Sequence, residues 1–238
     1  MKKLIFILLC FCLMTFGSSA RIIEVAPAGA WGVLGISGGS EPPAGAVISD
    51  DFSGDLSNWT QGVGTSVSII GEELAFRDSA SSGCIIHNTS LGTGNKWIRY
   101  RVPDQVNNGL LAIGSDASGN TLAIVIHTNS GYTLYHMVSF DEYDSDQGYE
   151  SLTEQATGVG YNSAYMIGVT IDKSGKTVRM WANVTAEEPD SLTSWDSSAA
   201  DATQTFSTST IPGDRVGFGS WTSGPGSMSF DDFSAGDL

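Results

Sequence analysis

Two stretches decide how this chain is read: ISDDFSGDLSNW at residues 48–59 and SFDDFSAGDL at residues 229–238. The phrase Asp-Asp-Phe-Ser stands in both. The first and last strands of a two-sheet sandwich tend to lie side by side, because the two ends of a domain usually meet at its surface. Phe52 and Phe233 are then expected to plug the same edge of the core, and Asp50, Asp51, Asp231 and Asp232 to be drawn together. Clustered carboxylates without bases repel unless they share a cation, and calcium accepts about six to eight oxygens in irregular geometry. A structural calcium on these four aspartates is one expectation. Only one aspartate of each pair would contribute, since strand neighbours point to opposite faces. The alternative is that both phrases simply end strands.

Between the two phrases the signals are those of short strands. SVSII (66–70) and LAFR (74–77) flank a Gly71-Glu72-Glu73 turn. KWIRYRV (96–102) alternates Trp97, Arg99 and Arg101 with Ile98, Tyr100 and Val102. LLAIG and TLAIVIH flank the turn cluster SDASGN (115–120), and YMIGVTI is joined to TVRMWANV by DKSGK, with Gly175 expected in the left-handed conformation. RVGFGSW and SMSFDDFS follow. Ten or more such strands, no helix-length apolar stripe, and a 190–202 segment too rich in Ser and Asp for a helix predict an all-β antiparallel sandwich.

The beginning of the chain is of another kind. Lys2 and Lys3, the apolar run 4–16 and the small residues Ser18-Ser19-Ala20 have the pattern of a signal peptide over residues 1–20. About 13 apolar residues fall short of the roughly 20 a membrane span needs. Residues 21–47, rich in Gly, Ala and Pro, read as a linker or arm whose Trp31, Leu34 and Ile36 suit docking on the domain or on a neighbour. The domain itself is expected over 48–238. Eleven basic residues, two of them in the leader, stand against 26 acidic ones, a balance near −17 beyond residue 20. No basic cluster is present to neutralise phosphates, which argues against nucleic-acid binding. Cys84 is the only thiol beyond the leader, so a core and not a disulfide must hold the domain.

The stretch ISDDFSGDLSNWTQGVGTSVSIIGEELAF (48–76) resembles the opening of the concanavalin A-like lectin/glucanase superfamily, which includes laminin-G-like jelly rolls. GSMSFDDFS (226–234) is similar to its closing strand, and YMIGVTIDKSGKTVRMWANV (165–184) to its central hairpin. The resemblance spans about 48–238. It implies a jelly roll of two curved antiparallel sheets, a glycan or ligand site commonly on the concave one, and in several families a calcium near the chain ends.

Catalysis has one candidate. Glycosidases of that superfamily carry alternating carboxylates in an E-x-D-x-E pattern, which puts all three on one strand face. Glu142-Tyr143-Asp144-Ser145-Asp146 has the period but ends in Asp, has Tyr and Ser at the intervening positions, and runs into Gln147-Gly148, which suggests a loop. His87, His127 and His136 lack ligand spacing, with His136 expected to pair near Ala123. Binding remains, through rings that stack on sugar faces with polar neighbours that hold hydroxyls. Trp181, flanked on its face by Arg179 and Asn183, is expected to face solvent, with Trp97, Tyr135 and Trp221 as further ligand candidates. The expected function is a secreted, non-catalytic, lectin-like domain for a glycan or cell-surface polysaccharide. The alternatives are a structural or adhesive component of an envelope, extracellular assembly or phage particle, self-assembling through residues 21–47, and a diverged glycoside hydrolase.

Overall fold

The computed structural model describes residues 45–61, 66–76, 83–102, 109–127, 133–141, 145–156, 165–206, 210–220 and 228–238, without the side chains of 125–165. In chain order the strands are β1 (Ile48–Asp50), β2 (Trp59–Gln61), β3 (Val67–Ile69), β4 (Leu74–Phe76), β5 (Gly83–His87), β6 (Lys96–Val102), β7 (Gly109–Ser115) and β8 (Thr121–His127). They continue as β9 (Thr133–Asp141), β10 (Ser145–Ala156), β11 (Tyr165–Asp172), β12 (Thr177–Ala182), β13 (Ala202–Thr205), β14 (Arg215–Ser220) and β15 (Met228–Asp237). One sheet runs β13-β12-β11-β6-β15-β4-β3, with β1 also on β15; the other runs β10-β9-β8-β7-β14-β5-β2. Every pairing is antiparallel. The chain is an all-β sandwich of two sheets, as its strand pattern predicts. Among the described residues no helix is long and apolar enough to cross a membrane.

The core lies between the sheets because inward positions alternate with outward ones. Ile98, Tyr100 and Val102 of β6 meet Leu111 and Ile113 of β7 and Phe218 of β14 in one buried cluster. Aromatic rings tie the layers together: Phe218 stacks on Phe230 at 4.2 Å and meets Tyr100 edge-on at 5.3 Å. Edge and offset contacts of this kind add about 0.5–1.5 kcal/mol each beyond the area they bury.

The twin phrases are partners. Asp50 lies opposite Phe233 and Ile48 opposite Ala235 in the β1–β15 ladder. Phe52 and Phe233 are fully buried, and both pack on Trp59, at 5.7 and 5.4 Å between ring centroids. β15 serves two neighbours along one edge, pairing with β4 through residues 228–230 and with β1 through residues 233–235. Between these stretches its register against β6 slips, with Asp232 in the left-handed region at φ 46°. The last residues of the arm already belong to this edge, since Val47 N–H donates to Ala235 O at 2.9 Å.

Three local expectations need correction. In the hairpin β11–β12 the left-handed residue is Lys176, at φ 49°, and not Gly175. Asp172 Oδ1 accepts from Gly175 N–H at 2.7 Å, so its carboxylate sits where a side chain at 175 would project, and the reversal falls to the residue after. The polar stretch after Asp144 is strand β10 and not a loop, because its ladder to β9 satisfies the backbone despite two register shifts. In β8–β9, Ala123 pairs with Val138 and Ile124 with Met137, so His136 falls at the register shift between Ile124 and Ile126 and not at Ala123. Residues 190–201, by contrast, form the loop that the composition of 190–202 predicts, with bridges Ser191–Ser194 and Trp195–Ser198, and Ala202 already opens β13.

Candidate functional site

Two of the aromatic candidates, Trp97 and Trp181, lie on the outer face of the first sheet, where β6 and β12 alternate away from the core. Trp181 is 2% exposed and Trp97 1% exposed, so the expectation that Trp181 faces solvent is corrected. It does point away from the inter-sheet core, but the β12–β13 connection folds back over it. Trp195 from that connection enters edge-on to Trp97 at 6.2 Å and tilted to Trp181 at 6.0 Å, forming a second apolar cluster with Val184. Gly168 makes room, since a Cβ there would sit 2.6 Å from the Trp195 ring.

Polar anchors hold this cover. Trp181 Nε1 donates to Ser198 O at 3.0 Å, and Trp195 Nε1 to Ala186 O at 3.1 Å. Asp196 accepts from the backbone N–H groups of Thr185 and Ala186, each at 2.7 Å. Burial raises the Asp196 pKa, yet these bonds outweigh it and hold the carboxyl below its ordinary value. Arg179 is half-buried, with Nη1 donating to Leu192 O at 3.4 Å, and Asn183 is exposed at φ 60°. The Tyr135 side chain and Trp221 lie outside the described residues, as do Glu142, Tyr143, Asp144 and the side chain of Asp146.

At the junction of the twin phrases the four aspartates are already engaged. Asp50 Oδ2 accepts from Trp59 Nε1 at 2.7 Å and its Oδ1 from Phe52 N–H at 2.8 Å. Asp51 accepts from Ser53 Oγ at 2.7 Å; this bond and the Ser53 N–H lower its pKa. Arg101 forms ion pairs with Asp231 and, at 2.8 Å, with Asp232. The expectation of one aspartate per pair fails here because the slip at Asp232 turns two consecutive carboxylates toward one guanidinium. The donor set does not fit a calcium: the cation at this junction is Arg101, and both oxygens of Asp50 and Oδ1 of Asp51 and Asp231 accept from the chain. Among the described residues no group of three or more His, Cys, Asp or Glu is placed to hold a metal.

His87 is buried edge-on against Trp59 at 4.9 Å; burial lowers its pKa, with Asp50 opposing. Cys84 is fully buried, and burial alone pushes its thiol pKa far up, so it is inert as a nucleophile.

An open cavity among the described residues lies elsewhere, at one end of the sandwich, and no aromatic pattern points to it. It has a volume of about 610 Å³ and is lined by Thr93, Asn95, Lys173, Ser174, Lys176 and Thr210, with Ile211 and Leu238 beside them. Three connections meet there: the approach to β6, the β11–β12 turn, and the segment before β14. Asn95 Oδ1 accepts from Lys173 N–H at 3.0 Å and its backbone O from Leu238 N–H at 3.1 Å, while Lys173 Nζ donates to Gly213 O before β14. Behind this wall Lys96 is fully buried, its Nζ donating to Gly94 O at 3.2 Å. Burial and then the charge of Lys173 push its pKa down to about 8, against the opposing pull of Asp237 and Asp214.

No family model matches this sequence, and no curated protein matches it. Among solved structures, similar chains include a carbohydrate-binding module from Bacillus subtilis, at 14% identity over 76% of this chain and 96% of that one, with a TM-score of 0.45. A legume lectin-like domain from Entamoeba histolytica aligns at 9% identity over 80% and 97%, TM-score 0.48. A protein of unknown function with a galectin-like fold, also from Bacillus subtilis, aligns at 11% over 82% and 97%, TM-score 0.49. The fold itself is a sandwich of two antiparallel sheets whose first and last strands adjoin.

Proposed function

We propose that this chain is an exported, non-catalytic domain that binds a saccharide in the cavity at the end of the sandwich. The observation supporting this reading is the lining of that cavity. Hydroxyls of Thr93, Ser174 and Thr210 and the amide of Asn95 border a space of about 610 Å³, with Ile211 as the apolar contact. Saccharides are bound by such a combination of convergent hydrogen-bonding groups and limited apolar surface. Export rests on the pattern of residues 1–20, which lie outside the described residues. The tryptophans Trp97 and Trp181, covered by residues 183–201, serve this reading as a second core and not as a stacking platform.

A saccharide array probed with the purified protein and with a Thr93→Val, Thr210→Val double variant tests it. The expected result is retention of a defined set of saccharides, weakened about tenfold in the variant, the order of effect expected when two hydrogen bonds are lost. Retention of no saccharide, or equal retention by both proteins, overturns the reading.

A further inference from the structure

His87, the last residue of β5, lies opposite Trp59 of β2 and is 6% exposed. Its ring stands edge-on to the Trp59 indole, at 4.9 Å between centroids. Its Nδ1 accepts from Thr89 N–H at 3.2 Å, so that nitrogen carries no proton and the ring is neutral. The same indole is the hub of the terminal junction. It packs on Phe52 and Phe233, and its Nε1 donates to Asp50. Asp50 also fixes the turn after β1, accepting from the N–H of Phe52, whose φ of 51° lies in the left-handed region. A phenylalanine holds that conformation at a cost, and only while its surroundings impose it. β1 itself has three residues of ladder, opposite Phe233, Ser234 and Ala235. One titratable ring thus backs the indole to which β1 and its turn are fastened.

We propose that His87 is an acid-sensitive latch on β1, the strand through which residues 21–47 join the domain. Neutral, it backs Trp59 and keeps the junction closed; protonated, it opens the junction and frees β1. A protonated Nδ1 cannot accept, so the Thr89 N–H loses its partner, and an imidazolium in a buried site demands a carboxylate. Among the described residues, Asp50 of β1 is the charge that acts on the ring. β2 faces it with Trp59, the core-facing residues of β14 are the apolar Val216 and Phe218, and Asn88 and Thr89 beyond β5 are uncharged. Both Asp50 oxygens are already taken, so Asp50 answers the imidazolium only by giving up the indole or the Phe52 turn. Either exchange undoes what fixes β1. Burial lowers the His87 pKa below its ordinary value of 6.5, with Asp50 opposing, so the opened form takes the proton more readily than the closed one. The opened fraction consequently rises as pH falls below 6.5, by at most about tenfold per pH unit for one proton.

Amide hydrogen exchange of the purified protein at pH 7 and pH 5, corrected for intrinsic exchange rates, tests the proposal. It is compared with His87→Asn, whose side-chain oxygen can replace Nδ1 as acceptor and does not ionise. In the wild type, protection of residues 48–52 is expected to fall about tenfold between the two pH values, while β6 and β14 keep theirs. In His87→Asn the fall is expected to stay below about twofold. No fall in the wild type, or an equal fall in both proteins, overturns the proposal. So does a fall spread evenly over the domain, which would make His87 a source of general acid instability and not a latch. Titration of the His87 ring by NMR in the wild type decides the matter even where the variant fails to fold. A midpoint below 6.5 is expected, and one at or above it overturns the latch.

Discussion

Two places in this sandwich hold buried charge, and the chain resolves them in opposite ways. At the β1–β15 junction, Arg101 draws in Asp231 and Asp232, and Asp50 is taken by the Trp59 indole. At the end of the sandwich, Lys96 and Lys173 donate to the backbone carbonyls of Gly94 and Gly213, and the Lys173 charge opposes that of Lys96. The first region supplies both signs of charge, so its polar groups serve the fold. The second brings like charges together, and Asp237 and Asp214 offset them only in part. Low local dielectric amplifies both situations, strengthening a satisfied pair and penalising an unsatisfied one.

The contrast can be broken most forcefully at the junction. Phe233→Ala removes a buried ring from the cluster around Trp59 and is expected to cost about 3–4 kcal/mol in urea denaturation. Ligand binding at the far cavity should survive under native conditions, as independence of distant sites requires. If binding disappears from the folded variant, the two regions are not separable. Arg101→Met leaves a buried and an exposed carboxylate without their cation, with an expected loss of about 2 kcal/mol. A loss near zero would show that solvent already serves both aspartates.

At the lysine cavity the sign reverses. Lys96→Met is expected to stabilise the protein at pH 7 by about 1 kcal/mol, since a buried charge facing a like charge gives way to an apolar chain. The pH profile sharpens this. In the folded state Lys96 releases its proton near pH 8, while in the unfolded state it holds it to the ordinary lysine value of 10.5. Between these values the unfolded chain binds more protons, so stability rises with pH. Lys173, Asp237 and Asp214 are the charged neighbours that set the lower value. The wild-type minus Lys96→Met difference in melting temperature should therefore climb across that window; a falling difference would sink the account. The smallest effect is expected for Lys173→Gln, a gain within about 0.5 kcal/mol that shrinks as salt screens the repulsion it relieves.

The fold was legible to the extent that local pattern carried it. Alternation in KWIRYRV placed Ile98, Tyr100 and Val102 inward, and the repeated Asp-Asp-Phe-Ser phrase placed Phe52 and Phe233 on one ring, Trp59. The same alternation put Trp181 on the outer face, which is correct, but equated that face with solvent, which is not. Nothing in the composition of residues 183–201 says that Trp195 will return across Gly168 to cover it. Likewise four aspartates suggested a metal because charge was counted along the sequence, where Arg101 is 130 residues from Asp231.

By itself, then, the sequence determined the all-β class, most of the strands with an apolar alternation, and that its two similar phrases belong together, because alternation and turn chemistry act over a few residues at a time. Only the tertiary structure decided where charge is compensated. Lys96, Lys173 and the segment before β14 are far apart in the chain and become neighbours only when three connections close one end of the sandwich. Electrostatic energy depends on distance through space and on burial, and neither is written in residue order.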